Sequence, residues 1–148
     1  MENLAENKRA FFDYEILEKL EAGIELLGFE VKSVRAGRMQ IQNAYVTIRG
    51  NEAWLLNSEI PAFQPKNAPA DYESSRSRRL LLHASEIERL VGKIKERSLT
   101  LLPLRVYISG QRLKVELGLG RHKKKVDKRE TIKKREATKD IARALKRR

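Results

Sequence analysis

The chain has 148 residues, of which 32 are Lys or Arg and 20 are Asp or Glu, and its formal net charge at pH 7 is +12. The absence of cysteine excludes a disulfide framework and a thiolate zinc site. No apolar stretch is long enough for a signal sequence or a membrane span, so we expect a cytoplasmic protein with no membrane partner.

The first predicted elements are a strand and a helix. Apolar residues indicate a strand over residues 11–21, which Ala22 and Gly23 then interrupt. Beyond the break, four apolar residues recur at helical spacing, namely Ile24, Leu27, Val31 and Val34. Gly37 follows where a helix typically ends, so we predict a helix over residues 26–36.

A hairpin and a long loop come next. Alternating apolar and polar residues with turn residues between them predict a β-hairpin over residues 44–56. Residues 60–79 hold three of the four prolines and end in three arginines. A loop of this length in a small domain is usually functional.

The second predicted helix covers residues 86–97. Its apolar residues lie on one helical face, and Ser85 with Glu88 three residues later has the spacing of a capping box. Two alternating strands follow, residues 101–108 and 112–119, joined by a glycine-containing turn. The outward positions of the second strand include Arg112 and Lys114, so one face of it is basic.

These elements predict a mainly β fold. Five or six short strands, mostly in hairpins and with two or three added helices, favour a small antiparallel barrel of the oligonucleotide-binding type, an OB-like fold. An open sandwich with the helices on one face is the alternative.

Few residues here are suited to catalysis. The only histidines are His83 and His122, and the acidic side chains lie mostly at helical spacing from Lys or Arg, as in solvated ion pairs. We therefore expect no enzyme activity, no metal site and no cofactor. Judged by itself, His83 is most simply a rim histidine bonded to a loop carbonyl.

Most of the positive charge lies at the C-terminal end. Residues 121–148 carry 14 basic and four acidic side chains, a net of +10, whereas residues 1–120 are nearly neutral. We predict one folded domain over residues 1–120 and a basic tail over residues 121–148 that contacts nucleic acid. The tail is either a disordered arm of low specificity or a segment that is disordered alone and becomes a helix on RNA.

Several short motifs along the chain match one family in order and spacing. They are residues 7–10 (NKRA), 13–14 (DY), 21–24 (EAGI), 28–33 (GFEVKS), 35–37 (RAG), 45–46 (YV), 76–83 (RSRRLLLH), 127–129 (DKR) and 132–135 (IKKR). With them the chain resembles the bacterial SsrA-binding proteins, also called small protein B. Four positions depart from the family pattern. Ser98 and His122 stand where a glycine is usual, Ser75 where a proline is usual, and Val126 where an aromatic residue or histidine is usual.

The resemblance implies an RNA-binding protein of trans-translation. Such proteins have an OB-like barrel, bind the tRNA-like domain of transfer-messenger RNA and deliver it to stalled ribosomes. The implied contacts of the folded domain with this RNA are Glu21, Leu81 and His83, near the arginines Arg76, Arg78 and Arg79.

The resemblance also implies a role for the basic tail on the ribosome. The implied contacts are Lys123, Lys124, Asp127, Lys128, Arg129, Ile132, Lys133 and Arg135. The tail of a monomer bound to its RNA would become helical in the empty mRNA channel, beside the decoding centre and ribosomal RNA of the small subunit. Two other classes remain open from the residues alone, a ribosomal or general RNA-chaperone protein and a DNA-binding barrel.

Overall fold

A computed structural model describes residues 3–124, 129, 132–137 and 139. The strands are β1 (Asn3–Glu6), β2 (Tyr14–Ile24), β3 (Tyr45–Arg49), β4 (Glu52–Leu56), β5 (Arg78–Leu81), β6 (Thr100–Ser109) and β7 (Arg112–His122). Within residues 3–124 the helices are α1 (Lys8–Asp13), α2 (Gly28–Arg35) and α3 (Ala84–Arg97), and a 3-10 turn covers Pro65–Asn67. None of the described helices is both long and apolar enough to cross a membrane.

The seven strands form one antiparallel sheet in the order β1-β6-β7-β2-β5-β4-β3. β3, at one end of this order, also lies against β6, so the sheet curls into a small barrel around the core. Apolar side chains of β4, β5, β6 and β7 fill the interior, among them Leu55, Leu80, Leu101 and Val115. The predicted mainly β, antiparallel fold with added helices is confirmed.

β7 is an interior strand of the sheet, paired along both edges. β2 pairs with it from Tyr14 to Gly23, and β6 pairs with its other side from Thr100 to Ser109. Its odd-numbered residues up to Leu119 are buried, while Arg112, Lys114 and Glu116 are partly or fully exposed. The predicted alternation in this strand is therefore correct.

A short helix replaces the start of the first predicted strand. Residues 11–13 lie in α1, because the Asn7 side chain caps this helix by accepting a hydrogen bond from the Ala10 N–H at 3.2 Å. The Asn7 amide also donates to the Pro103 carbonyl of β6 at 2.9 Å, which anchors the cap. The strand prediction was wrong for these residues, and β2 begins at Tyr14.

β2 continues through its predicted break. Ala22 and Gly23 pair with Val115 and Lys114 of β7, and Gly23 also pairs with Leu81 of β5. Partners on both sides keep this backbone extended, although glycine in isolation favours an interruption. The predicted break was therefore wrong, because pairing with the neighbouring strands outweighs the local preference of glycine.

The second helix was predicted correctly, but its start was not. The N-cap of α3 is His83, whose backbone N–H donates to the Glu86 side chain at 3.2 Å. The predicted pair Ser85 and Glu88 has the same spacing two residues later, so spacing alone did not decide between the two pairs. The helix ends at Arg97, and its C-cap Ser98 takes the left-handed conformation with a φ of 52°.

One strand was missed in the segment predicted as a loop. Arg78–Leu81 forms β5, which lies between β4 and β2. A strand of four residues that ends a long irregular segment gives too short an alternation to be recognised. The other predicted helix and both predicted hairpins agree with the structure within a few residues.

The sheet extends slightly beyond the predicted end of the folded domain. β7 runs to His122, and the Lys123 N–H donates to the Asp13 carbonyl at 2.9 Å. In the basic tail, residues 129, 132–137 and 139 are helical. The predicted contacts Asp127 and Lys128 lie outside the described residues.

Candidate nucleic-acid interface

The outward faces of β5, β2 and β7 form one continuous surface. Arg79 and Leu81 point outward from β5, because they alternate with the buried Arg78 and Leu80. Leu81 lies opposite Gly23 of β2, and Gly23 in turn lies opposite Lys114 of β7. The side chain of Leu81 is therefore a 47 % exposed apolar ridge between a basic strand and an arginine.

Gly23 allows Leu81 to lie close to β2. A Cβ atom added at Gly23 would stand 3.2 Å from the Leu81 Cβ, closer than ordinary van der Waals contact. The glycine that was predicted to break the strand thus leaves room for the Leu81 side chain.

Four of the predicted RNA contacts line one cleft of about 430 Å³, namely Glu21, Arg79, Leu81 and His83. Arg112 and Lys114 of β7 border the same cleft. Sequence reasoning noted the basic face of this strand but did not assign these two residues to the site. The register of β7 beside β2 is the structural reason that they belong to it.

The carboxylate of Glu21 is held in place by a hydrogen bond from Tyr107. The Tyr107 hydroxyl donates to Oε2 of Glu21, while the Tyr107 side chain itself is buried in β6. Burial and this hydrogen bond raise the pKa of Tyr107 to about 12, so the hydroxyl keeps its proton at neutral pH. One oxygen of Glu21, a residue that lines the cleft, is thus held by a hydrogen bond.

Arg105 supports Tyr107 in turn. Its guanidinium lies 4.3 Å from the centroid of the Tyr107 ring and pairs with Glu116 at 3.2 Å. Tyr107 and Arg105 were not singled out in the sequence, since nothing local in β6 marks them as neighbours of Glu21.

His83 contributes an exposed ring at the start of α3. Its backbone is fixed by the helix N-terminus, because its N–H donates to Glu86. An imidazole held in this way can stack on a base or exchange hydrogen bonds with its edge. The structure thus places His83 in the same cleft as Glu21, as the resemblance implied.

Arg78 does not belong to this surface, and its prediction as an RNA contact is wrong. Its side chain is fully buried, and its guanidinium donates to Glu30 Oε2 from Nε at 2.9 Å and from Nη2 at 2.7 Å. It also donates to the Ser58 hydroxyl at 3.0 Å. Arg78 therefore joins α2 to the long loop inside the domain and has no guanidinium surface to offer RNA.

Arg76 is only half-exposed and is bound by the same carboxylate. Its Nε donates to Glu30 Oε2 at 3.2 Å, and its Nη2 pairs with the other oxygen. Burial alone would raise the pKa of Glu30, but hydrogen bonds from Arg76, the Leu27 N–H, Arg78 and Tyr72 outweigh it and lower the pKa below the ordinary value. Among the three predicted arginines, Arg79 is thus the one that borders the cleft.

The described residues of the basic tail begin at the far end of β7. The Lys123 ammonium donates to the Phe11 carbonyl at 3.0 Å, and the His122 ring meets Tyr14 edge-on at 5.0 Å. The guanidinium of Arg135 lies 5.6 Å from the centroid of the Phe12 ring. The other predicted tail contacts that the structure describes are exposed, namely Lys124, Arg129, Ile132 and Lys133.

Among the described residues, no three His, Asp or Glu side chains are grouped so that they could hold a metal ion. The chemistry that this surface offers is recognition. It combines an oriented acceptor at Glu21, an imidazole, an apolar ridge and three cations that can meet phosphates.

Comparisons with known proteins agree on one family. A family model described as SmpB protein matches residues 4–147. The SsrA-binding protein of Synechococcus elongatus is 48 % identical over 144 residues, covering 97 % of this chain and 94 % of the relative. That of Thermosynechococcus vestitus is 46 % identical over 145 residues, covering 98 % and 95 %.

A solved structure is similar as well. It is described as "tmRNA-SmpB: a journey to the center of the bacterial ribosome", and the match has a TM-score of 0.65 at 45 % sequence identity. The match covers 81 % of this chain and 84 % of that one.

Proposed function

Because this chain belongs to the SmpB protein family, the SsrA-binding proteins, we propose that it binds transfer-messenger RNA, also called SsrA RNA, and delivers it to stalled ribosomes for trans-translation. The similar solved structure, by its description a tmRNA-SmpB assembly in the bacterial ribosome, supports both partners. On this proposal the protein is an RNA-binding factor of the cytoplasm and catalyses no reaction itself.

The observation that carries the proposal is the single cleft that holds Glu21, Leu81 and His83 beside Arg79 and Lys114. Loops of structured RNA expose base edges that such side chains can read, while the cations bind the backbone on either side. We propose that this cleft takes the tRNA-like domain. The buried Arg78 has no part in that contact, and Arg76 contributes only through the position of its loop.

We propose a separate task for the basic tail. With a net charge of +10 over residues 121–148, it is a polycation that can enter the mRNA channel only where the message, itself a polyanion, is missing. Binding there would order the tail as a helix against ribosomal RNA, with the protein acting as a monomer on its RNA.

Competition binding tests the proposal directly. The full chain should bind the tRNA-like domain of transfer-messenger RNA more tightly than unrelated RNA or duplex DNA of equal length. Replacing Glu21→Gln or His83→Ala should each weaken that binding by about 1–3 kcal/mol, the size of a lost direct contact to a base. Glu15→Gln is the matched control, since Glu15 is an exposed carboxylate of the same strand that lies outside the cleft.

Equal affinity for all three nucleic acids would contradict the proposal and favour a general RNA-chaperone or a DNA-binding barrel instead. If both cleft variants bound like the parent while the parent remained selective, the family role would stand and the assigned surface would be wrong.

A further inference from the structure

A second groove lies beside the candidate cleft and shares Arg79 with it. This groove has a volume of about 650 Å³. It is lined by Ile24, Glu25, Leu26, Leu27, Trp54, Arg76 and Arg79. Because Arg79 borders both hollows, a strand of RNA that leaves the cleft past Arg79 enters this groove next.

The strand register places Trp54 on the outward face of the barrel. Trp54 of β4 lies directly opposite Arg79 of β5, and its neighbours Ala53 and Leu55 are fully buried. Side chains alternate between the two faces of a strand, so Trp54, Arg79 and Leu81 all point to the same side as the cleft. The groove and the cleft are therefore parts of one face.

The lining has the composition of a stacking site. Trp54 is the only tryptophan of the chain and is half-buried, so its indole is held in the strand yet partly open to the groove. Leu27, at the edge of the same groove, is 46 % exposed. An indole face, an aliphatic wall and an adjacent arginine are the groups on which unpaired bases stack in single-stranded nucleic-acid sites.

Arg79 is available for a phosphate. Its side chain is 43 % exposed, and its guanidinium lies 3.9 Å from Glu25 and 3.8 Å from Glu52, both beyond hydrogen-bond distance. Exposed pairs of this kind contribute little and are readily exchanged. Arg76 differs, because the buried Glu30 already binds it.

From this arrangement we propose that the Trp54 groove takes an unpaired nucleobase of the RNA bound in the cleft, stacked on the indole, with Arg79 on the phosphate between the two sites. The inference rests on the proposed function and adds a second subsite to it. Stacking accepts every base, so we expect the groove to select an unstacked nucleotide and not a particular sequence. A ribosomal protein segment is the other conceivable occupant, but the shared Arg79 and the continuity with the cleft favour RNA.

The single tryptophan makes the test direct. The intrinsic fluorescence of the full chain is recorded while the tRNA-like domain of transfer-messenger RNA is added, and affinity is measured in parallel by a method that does not depend on fluorescence. We expect the fluorescence to be quenched along the binding curve. Trp54→Ala should weaken binding about tenfold, whereas Trp54→Phe, which keeps a stacking ring, should stay close to the parent.

Leu17→Ala is the control for loss of an outward apolar side chain, because Leu17 is 46 % exposed and lies outside the groove. Should Trp54→Ala fail to fold, the proposal is tested by the quenching of the parent and by the affinity of Trp54→Leu, whose smaller side chain is apolar and has no ring. Urea unfolding of each variant shows which of them are folded.

The outcomes separate the two proposals. If the parent binds the RNA selectively but its fluorescence does not change and Trp54→Ala binds equally well, the groove is not a base subsite and the proposed function is unaffected. Quenching by ribosomes in the absence of transfer-messenger RNA, and none by the tRNA-like domain alone, would assign the groove to a ribosomal partner and overturn the inference. If the parent shows no selectivity for this RNA, the proposed function fails and the inference with it.

Discussion

Glu30 is the residue on which the long loop depends. Its buried carboxylate binds Arg78 and Arg76 and accepts from the Tyr72 hydroxyl at 2.8 Å, so helix α2 and residues 58–78 share one acceptor. Replacing Glu30→Gln leaves the buried Arg78 without its counter-charge. We expect the free energy of unfolding to fall by about 3–5 kcal/mol, measured by urea denaturation.

The pH dependence of stability follows from the same carboxylate. Its pKa is lower in the folded state than the ordinary 4.5, so its contribution is fully present above about pH 4.5 and is lost as the pH falls through the folded value. Glu30→Gln should lack this part of the acid dependence. Glu25→Gln removes an exposed carboxylate and should change the free energy of unfolding by less than about 0.5 kcal/mol. A loss as large as that of Glu30→Gln would show that burial of the Glu30 ion pair is not the cause.

Tyr107 should act on RNA binding without contacting RNA. Its buried hydroxyl holds Oε2 of Glu21, so Tyr107→Phe frees the Glu21 side chain to adopt other rotamers. We expect binding of the tRNA-like domain to weaken by about 1 kcal/mol, the size of one hydrogen bond. In a double-mutant cycle with Glu21→Gln, the second change should add little.

Ultraviolet titration of tyrosinate gives an independent measure of Tyr107. The parent should have one tyrosine that ionises near pH 12, in line with its raised pKa, and Tyr107→Phe should lack that step. Fully additive losses of RNA affinity in the cycle would show that Tyr107 does not act through Glu21.

At the scale of elements, the end of α3 carries strain that can be relieved. Ser98 is exposed and has a φ of 52°, in the left-handed region where residues with a Cβ are disfavoured. Ser98→Gly should raise the free energy of unfolding by about 0.5–1 kcal/mol, measured in urea, because glycine adopts this conformation without a steric penalty. Ser98→Ala should give no such gain, and a similar rise for both variants would rule out the backbone as the cause.

The elements that the sequence predicted well are those whose signal is local. The hairpins and α3 have clear alternation or helical spacing, and they appear within a few residues of their predicted bounds. α1 was missed because Asn7 depends on Pro103, nearly a hundred positions away, for its anchoring. β5 and the continuation of β2 likewise depend on partners that only the folded sheet supplies.

Prediction of the site shows the same limit. The cleft residues Glu21, Leu81 and His83 were identified through family resemblance, and they do lie together. Arg78 was misassigned because an arginine in a basic motif looks the same in sequence whether it faces solvent or a buried Glu30. Tyr107 and Trp54 could not be assigned, since their roles arise from cross-strand register.

For the whole molecule, we expect that selective RNA binding by the folded domain can be separated from the action of the basic tail on the ribosome. A chain that ends at Lys124 keeps the contact of Lys123 with Asp13 but lacks most of the basic tail. It should still bind the tRNA-like domain while failing to support tagging on the ribosome. If about seven tail cations contact phosphates, the logarithm of the binding constant for unrelated RNA should fall with the logarithm of the salt concentration with a slope of roughly −5 for the full chain. After truncation the slope should be much closer to zero.

A tail of identical composition in scrambled order is the control for charge alone. It should restore the salt slope but not the tagging. Loss of all binding to the tRNA-like domain on truncation, or full tagging by the scrambled chain, would contradict the separation of the two tasks.

β7 fixes the distance between the cleft and the beginning of the basic tail. Lys114 near one end borders the cleft, and His122, the last residue of β7 and the second of the basic tail, follows eight residues or about 26 Å of strand later. Hydrogen bonds to β2 and β6 on both sides hold this strand in place, so the distance between its two ends is fixed. The RNA bound in the cleft and the site that receives the tail must therefore lie about one strand length apart. The barrel cannot change this distance.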